Sequence, residues 1–191
     1  MISELVRSLR PGDVFFDVGA FVGAFTLMAS RLVGPDGRVM CFEPDPGPRG
    51  VLERNLAANQ ATNVTVVPYA VGDRDGMVRF SARGDSAGHV SASGEVEVRQ
   101  VTLDGYCAER GIRPTVMKVD VEGGEAGALG GSKTVRGVRE LVVEIHEPVL
   151  RAQGIDPAAL LDSLGSYELL EPRERGNYGV LLHPRPECEL S

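Results

Sequence analysis

Hydrophobic and polar positions in this chain alternate between short dense runs and longer amphipathic stretches. Four of the dense runs close on an acid or a histidine: Val14-Phe15-Phe16-Asp17, Val39-Met40-Cys41-Phe42-Glu43, Val116-Met117-Lys118-Val119-Asp120 and Leu141-Val142-Val143-Glu144-Ile145-His146. Near-continuous β-branched and aromatic runs of this length read as strands of a parallel sheet covered on both faces. Between them, residues 24–32, 48–59, 103–110 and 124–134 carry helical periodicity, the last interrupted by glycines. Residues 2–10 predict a short helix stopped by Pro11-Gly12, and 156–164 a helix with Pro157 in its first turn. Further strands are expected at 64–68, 167–170 and 179–183. Residues 76–101 break the rhythm. Alternating segments there flank a Gly/Ser-rich stretch at 83–94, which reads as an antiparallel ribbon with a mobile loop.

Strands alternating with helices predict an α/β fold with a mostly parallel, doubly wound sheet. Seven strands are expected in it, with one antiparallel edge strand and the 76–101 segment as a small β insertion. A length of 191 residues suits one domain spanning 1–191, with residues 1–12 as a short N-terminal helix. In open α/β sheets ligands bind beyond the carboxyl ends of the strands, so the polar residues collected there predict one site.

Charge narrows the partners. A net charge of −7 argues against nucleic acid, whose backbone is held by clustered Lys and Arg. Of 20 basic residues only Lys118 and Lys133 are lysines, a bias read first as genome composition. Cys41, Cys107 and Cys188 are odd in number and lack metal-ligand spacing, which suits a reduced compartment. The sequence shows no leader pattern and no apolar stretch long enough to span a bilayer. It is therefore read as cytoplasmic, with no membrane partner.

Two motifs carry a nucleotide-binding pattern. Asp17-Val18-Gly19-Ala20-Phe21-Val22-Gly23 stands where a strand turns into a helix, and glycine there admits a ligand close to the backbone. The spacing is not the dinucleotide fingerprint. An acid ahead of the first glycine would repel a pyrophosphate but suits a ligand bearing an ammonium group. The bland reading of Asp17 is a strand-end carboxylate capping the next helix. Glu43 ends its strand about 20 residues further on, where a carboxylate can accept from two ribose hydroxyls. Tyr69-Ala70-Val71-Gly72-Asp73 could line an adenine or be an ordinary turn.

The second half carries the candidate chemistry. Lys118 and Asp120 share a strand face by period two, as do Glu144 and His146. A lysine in an apolar strand needs a charged partner, and Asp120 and Glu122 are the nearest in sequence. His146 could be a general base, a metal ligand or a hydrogen-bonded packing residue. Asp120, Glu122 and His146 offer oxygen and imidazole donors for a divalent metal, but their spacing is too loose to specify one, and none is assigned. His89, beside Asp85, Ser86, Ser91 and Ser93, reads as loop or substrate lid.

An ordered set of motifs resembles the FkbM-type family of S-adenosylmethionine-dependent methyltransferases. It comprises Phe16 to Ala20 with Gly23 and Thr26; Phe42 to Pro46; Leu52 with Asn55 and Asn59; Ala70 to Asp73; Thr102-Leu103-Asp104; Lys118 to Gly123 with Glu125; and Val143 to His146. The resemblance covers roughly residues 14–147. It implies a Rossmann-like class I methyltransferase and O-methylation of a hydroxyl on a secondary metabolite or sugar. The cofactor is expected at Asp17, Gly19, Ala20, Gly23, Thr26, Glu43, Ala70 and Val71. Catalysis is expected at Asp120 or His146 as base, with Lys118 and Glu122 beside them. Two positions depart from the pattern: Phe21 replaces a common Asn, and Gly124 a larger residue. Little chain precedes the first strand, so residues 1–12, the 83–94 loop or a second subunit of a homo-oligomer must cover the acceptor; otherwise the pocket is open to a bulky one. The competing readings are a nicotinamide-dependent oxidoreductase and a non-catalytic cofactor-binding partner.

Overall fold

A computed structural model describes residues 2–81, 88–90, 94–170 and 176–184. The predicted strands form β1 (Val14–Val18), β2 (Arg38–Phe42), β3 (Val64–Val67), β8 (Val116–Val119) and β9 (Glu140–His146) of one parallel array. Two further strands, β10 (Gly165–Leu169) and β11 (Asn177–Pro184), complete a sheet ordered β10-β11-β9-β8-β1-β2-β3. The antiparallel member is β11, which pairs with β9 on one side and β10 on the other. The expected antiparallel strand therefore lies one place inside the edge, between β9 and β10.

The insertion is a second sheet. Strands β4 (Ala70–Val71), β5 (Gly76–Ser81), β6 (His89–Val90) and β7 (Val96–Val101) are ordered β4-β7-β5-β6, with β5 antiparallel to both β6 and β7. Most of the 83–94 stretch, including Asp85, Ser86, Ser91 and Ser93, lies outside the described residues, as does Cys188. Cys41 and Cys107 are buried free thiols.

Helices cover both faces because successive strand residues point to opposite sides. Phe15, Val39, Val116 and Val142 pack under α1 (Ile2–Ser8) and α2 (Ala24–Val33). Cys41 continues that face under Leu52 and Leu56 of α3 (Pro46–Ala58). Phe16, Met117, Leu141 and Val143 face the other way, toward α4 (Leu103–Arg110), α5 (Glu125–Leu129), α6 (Lys133–Arg136), α7 (Glu147–Ala152) and α8 (Pro157–Leu164). Phe16, Phe42 and Tyr106 cluster there with centroids 5.0–6.1 Å apart, Tyr106 meeting both phenylalanines edge to face. The predicted 124–134 helix is two short helices parted at Gly130-Gly131. Its second piece is capped from outside: Asp104 accepts from the Lys133 and Thr134 N–H groups at 2.9 and 2.7 Å. Helix α7, which the sequence reading passed over, carries Pro148 in its first turn and an Arg151–Glu147 pair at 2.7 Å.

The chain runs outward from β1 through β2 to β3 and then crosses back to β8. The order of strands thus reverses between β1 and β8, where a crevice opens at their carboxyl ends.

Candidate active site

That crevice is a cavity of about 430 Å³, within the range of small-ligand sites. One side is the turn after β1. Gly19 adopts φ +80°, and a Cβ on it would stand 1.8 Å from the carbonyl oxygen of Asp120. Only glycine lets the turns after β1 and β8 approach so closely. The Gly19 and Ala20 N–H groups both donate to the Phe42 carbonyl at 3.0 Å, and Phe21 N–H donates to Glu43 Oε2 at 2.8 Å. These donors are spent inside the protein, so the turn does not present the row of N–H groups that cradles a pyrophosphate. Asn55 braces it from behind by donating to the Val22 carbonyl at 2.9 Å.

Glu43 is 6% exposed and lines the cavity; its second oxygen accepts from Asp45 N–H at 2.8 Å. Burial raises its pKa, the two backbone donors offset part of that, and the carboxyl titrates at about 7. Gly19, Ala20, Ala70 and Val71, which the sequence puts at the cofactor, line the same side. Asp17, Gly23 and Thr26 do not. Asp17 is fully buried and accepts from Thr26 Oγ1 at 2.6 Å. It also sits opposite Lys118 across the β1–β8 pairing, with Oδ1 3.5 Å from Nζ. The ammonium that Asp17 meets is therefore the protein's own. Thr26 is likewise fully buried, and Gly23 is the left-handed residue ahead of α2, tucked against Leu52.

Lys118 is 2% exposed, donates to the Gly19 carbonyl at 2.7 Å and lies 3.4 Å from Asp120 Oδ2. Burial works against its charge, but Asp17 and Asp120 outweigh it and hold the pKa above the ordinary lysine value. It is a fixed cation that ties the two turns together.

Asp120 and Glu122 line the other side, with side chains 24% and 28% exposed. Glu122 and Phe21 both adopt left-handed backbone, each at φ +52°, an uncommon and costly conformation for such side chains. Glu125, fully buried, accepts from Gly123 N–H at 3.0 Å and helps hold the Glu122 turn. His146 stands behind this pair, 3% exposed and away from the cavity lining. Burial disfavours its charge, yet hydrogen bonds with Glu122 and Glu125 push its pKa to about 10. Of the two candidate bases, Asp120 lies in the cavity lining and the His146 ring does not. Val149, Gln153 and Ile155 from α7 and its following turn, with Phe80 and Val90 of the second sheet, close the outer part. Sequence reasoning missed them; the Glu147-Pro148 helix start was the available signal for the first group.

The Methyltransferase FkbM domain matches residues 17–177 of this chain. The 31-O-demethyl-FK506 methyltransferase FkbM of Streptomyces tacrolimicus is 31% identical, covering 73% of this chain and 67% of its own. The 2-O-methyltransferase NoeI of Sinorhizobium fredii is 26% identical over 91% of this chain and 79% of its own. In structure, a methyltransferase FkbM from Methylobacillus flagellatus superposes with a TM-score of 0.61 at 16% identity, covering 95% of this chain and 50% of that one. The switch-point crevice, the buried carboxylate in its wall and the family match over most of the sequence lead to one conclusion: the chain belongs to the FkbM family of S-adenosylmethionine-dependent methyltransferases.

Proposed function

We propose that this S-adenosylmethionine-dependent O-methyltransferase acts on a hydroxyl of a sugar or secondary metabolite, with Asp120 accepting the hydroxyl proton. The observation that carries the reading is the division of the cavity between an enclosed carboxylate, Glu43, and the partly open Asp120–Glu122 pair. The first suits a ribose and the second an acceptor. When bound, S-adenosylmethionine supplies an electrophilic methyl group. The protein's part is to fix the geometry, worth effective molarities of about 10⁵–10⁸ M, and to take the proton. Glu43 would accept from the ribose hydroxyls, with Ala70 and Val71 against the adenine. Lys118 would orient Asp120, which would accept the proton that the acceptor hydroxyl gives up on methylation.

The relatives' names supply the acceptor class: a 31-O position on a demethylated FK506, a 2-O position, and hexuronic acid for a third relative. The apolar outer wall formed by Phe80, Val90, Val149 and Ile155 suits the nonpolar face of such an acceptor. The net charge of −7 and the acid-rich mouth support a small molecule over nucleic acid. No helix among the described residues is long and apolar enough to cross a membrane. The nicotinamide alternative has no support from these relatives, and the spent N–H groups of the glycine turn argue against it.

Calorimetric titration with S-adenosylmethionine, followed by transfer of labelled methyl to a panel of sugars and hydroxylated metabolites, tests the proposal. One binding site per chain and label recovered as an alkali-stable ether are expected. Folded protein that binds no cofactor, or label found only on nitrogen, overturns it.

A further inference from the structure

The carboxyl ends of β8 and β9 converge on one imidazole. Nδ1 of His146 lies 2.8 Å from Glu125 Oε1. On the other side, Nε2 faces Glu122 Oε2 at 3.2 Å, Glu144 Oε1 at 3.9 Å and Asp120 Oδ1 at 4.0 Å. Asp120, Glu122 and His146 each bring one donor atom to within 4.8 Å of the others. Carboxylates gathered so closely repel one another unless a cation stands among them, either the imidazolium or a metal ion that takes the place of its Nε2 proton. Lys118 is not that cation for the whole group. Its Nζ is anchored on the Gly19 carbonyl and shared between Asp17 and Asp120.

Glu125 is the second observation. It is fully buried behind the imidazole, and its Oε2 has no hydrogen-bond partner among the described residues. Such a carboxylate is costly to bury merely to hold a helix start. It is, however, the usual companion of a metal-bound histidine, which donates its distal ring N–H to a carboxylate and so aims the other nitrogen at the ion. The Glu122 turn, held in left-handed backbone, adds a preformed ligand arm.

We infer that Asp120, Glu122 and His146 form a divalent-cation site, with Glu125 orienting the imidazole and Glu144 alongside. Two carboxylates and one imidazole suit Mn²⁺ or Mg²⁺ more than a thiol-preferring ion. Asp120 and Glu122 line the cavity, so the ion's remaining positions face the acceptor. Resting on the methyltransferase reading, this names a finer acceptor class: a hydroxyl with a second oxygen on the adjacent carbon, as in a vicinal diol or a hydroxy acid. Two neighbouring oxygens could reach one ion and present the hydroxyl in a fixed orientation.

The test is titration of chelator-treated full-length protein with Mn²⁺, reading the free-ion electron paramagnetic resonance signal without cofactor or acceptor. One Mn²⁺ per chain is expected. Glu122→Gln should weaken binding at least tenfold, and Glu125→Gln by roughly 10–100-fold, the usual effect of losing an outer partner. Glu97→Gln, on an exposed strand position, should bind as the parent does. Circular dichroism melts confirm folding; Glu122 is part-exposed, so its variant keeps the test decisive if His146→Gln does not fold. Folded protein that leaves millimolar Mn²⁺ free, or a Glu122→Gln variant that binds like the parent, overturns the site. S-adenosylmethionine binding is measured in parallel with chelator present. If it persists while Mn²⁺ does not bind, the cation site falls and the methyltransferase reading stands.

Discussion

Asp17 and Asp120 look equivalent in the sequence, each an acid at a strand end, and the structure gives them different work. Asp120 is part-exposed in the cavity, and if it takes the acceptor's proton as proposed, Asp120→Asn should lower kcat by about 10²–10⁴. Its cofactor Kd should stay within a few-fold by calorimetry. Asp17 is sealed against Lys118 and Thr26, so Asp17→Ala removes the fully buried partner of the ammonium and leaves it only Asp120 and the Gly19 carbonyl. Breaking such a pair costs about 3–5 kcal/mol, and the loss should appear as a lowered urea midpoint. Any change in cofactor affinity should follow from that loss of fold. Glu43 makes a pH-dependent prediction. Its pKa is raised from 4.5 to about 7, so its neutral form favours the cofactor-free fold. Its contribution to stability is full below about pH 4.5 and is lost as pH rises through 7. If Glu43 accepts from the ribose as proposed, binding needs the carboxylate, so cofactor affinity should rise over the same interval. Titrations at pH 6 and pH 8 should show the weaker Kd at pH 6.

At the scale of elements, the turns after β1 and β8 act as one device, since Gly19 leaves no room for a side chain beneath Asp120. Gly19→Ala should force those turns apart. Cofactor binding and melting temperature should fall together, which paired calorimetry and thermal denaturation will show. The strands and most helices were legible because their hydrophobic periods are strong. That Glu43, Ala70 and Val71 line the cavity was legible because strand ends border the crevice in this architecture. The Asp17–Lys118 pair was not, because its members lie about 100 residues apart and meet only through the β1–β8 register. Helix α7 was hidden because Glu147-Pro148 reads equally as the close of β9. The left-handed backbone of Phe21 and Glu122 has no sequence signal, since neither residue type favours it. The family's common Asn at the first of these positions now has a physical reason: Asn tolerates that conformation better than Phe.

Across the whole molecule, the two ends of the sheet divide their tasks. The carboxyl end holds the cavity. The amino end is tied by Asp13, which accepts from Arg139 Nη2 at 2.8 Å and from Thr115 Oγ1 at 2.8 Å. Part-burial works against the Asp13 charge, but hydrogen bonds from Arg139, Thr115 and Arg10 overcome it and hold the pKa below 3.8. The stabilisation is therefore present above pH 3.8 and lost as pH falls below it. Asp13→Ala should cost about 1–3 kcal/mol in denaturant unfolding while leaving cofactor Kd unchanged, since nothing near the cavity moves.

The interior position of β11 has a consequence for synthesis. Until residues 177–184 leave the ribosome, β9 has an open flank, and its Leu141-Val142-Val143 run is an unpaired apolar edge close to the cavity. The nascent chain must carry that sticky edge, shielded or at risk of pairing with another copy, until its last described strand slides in.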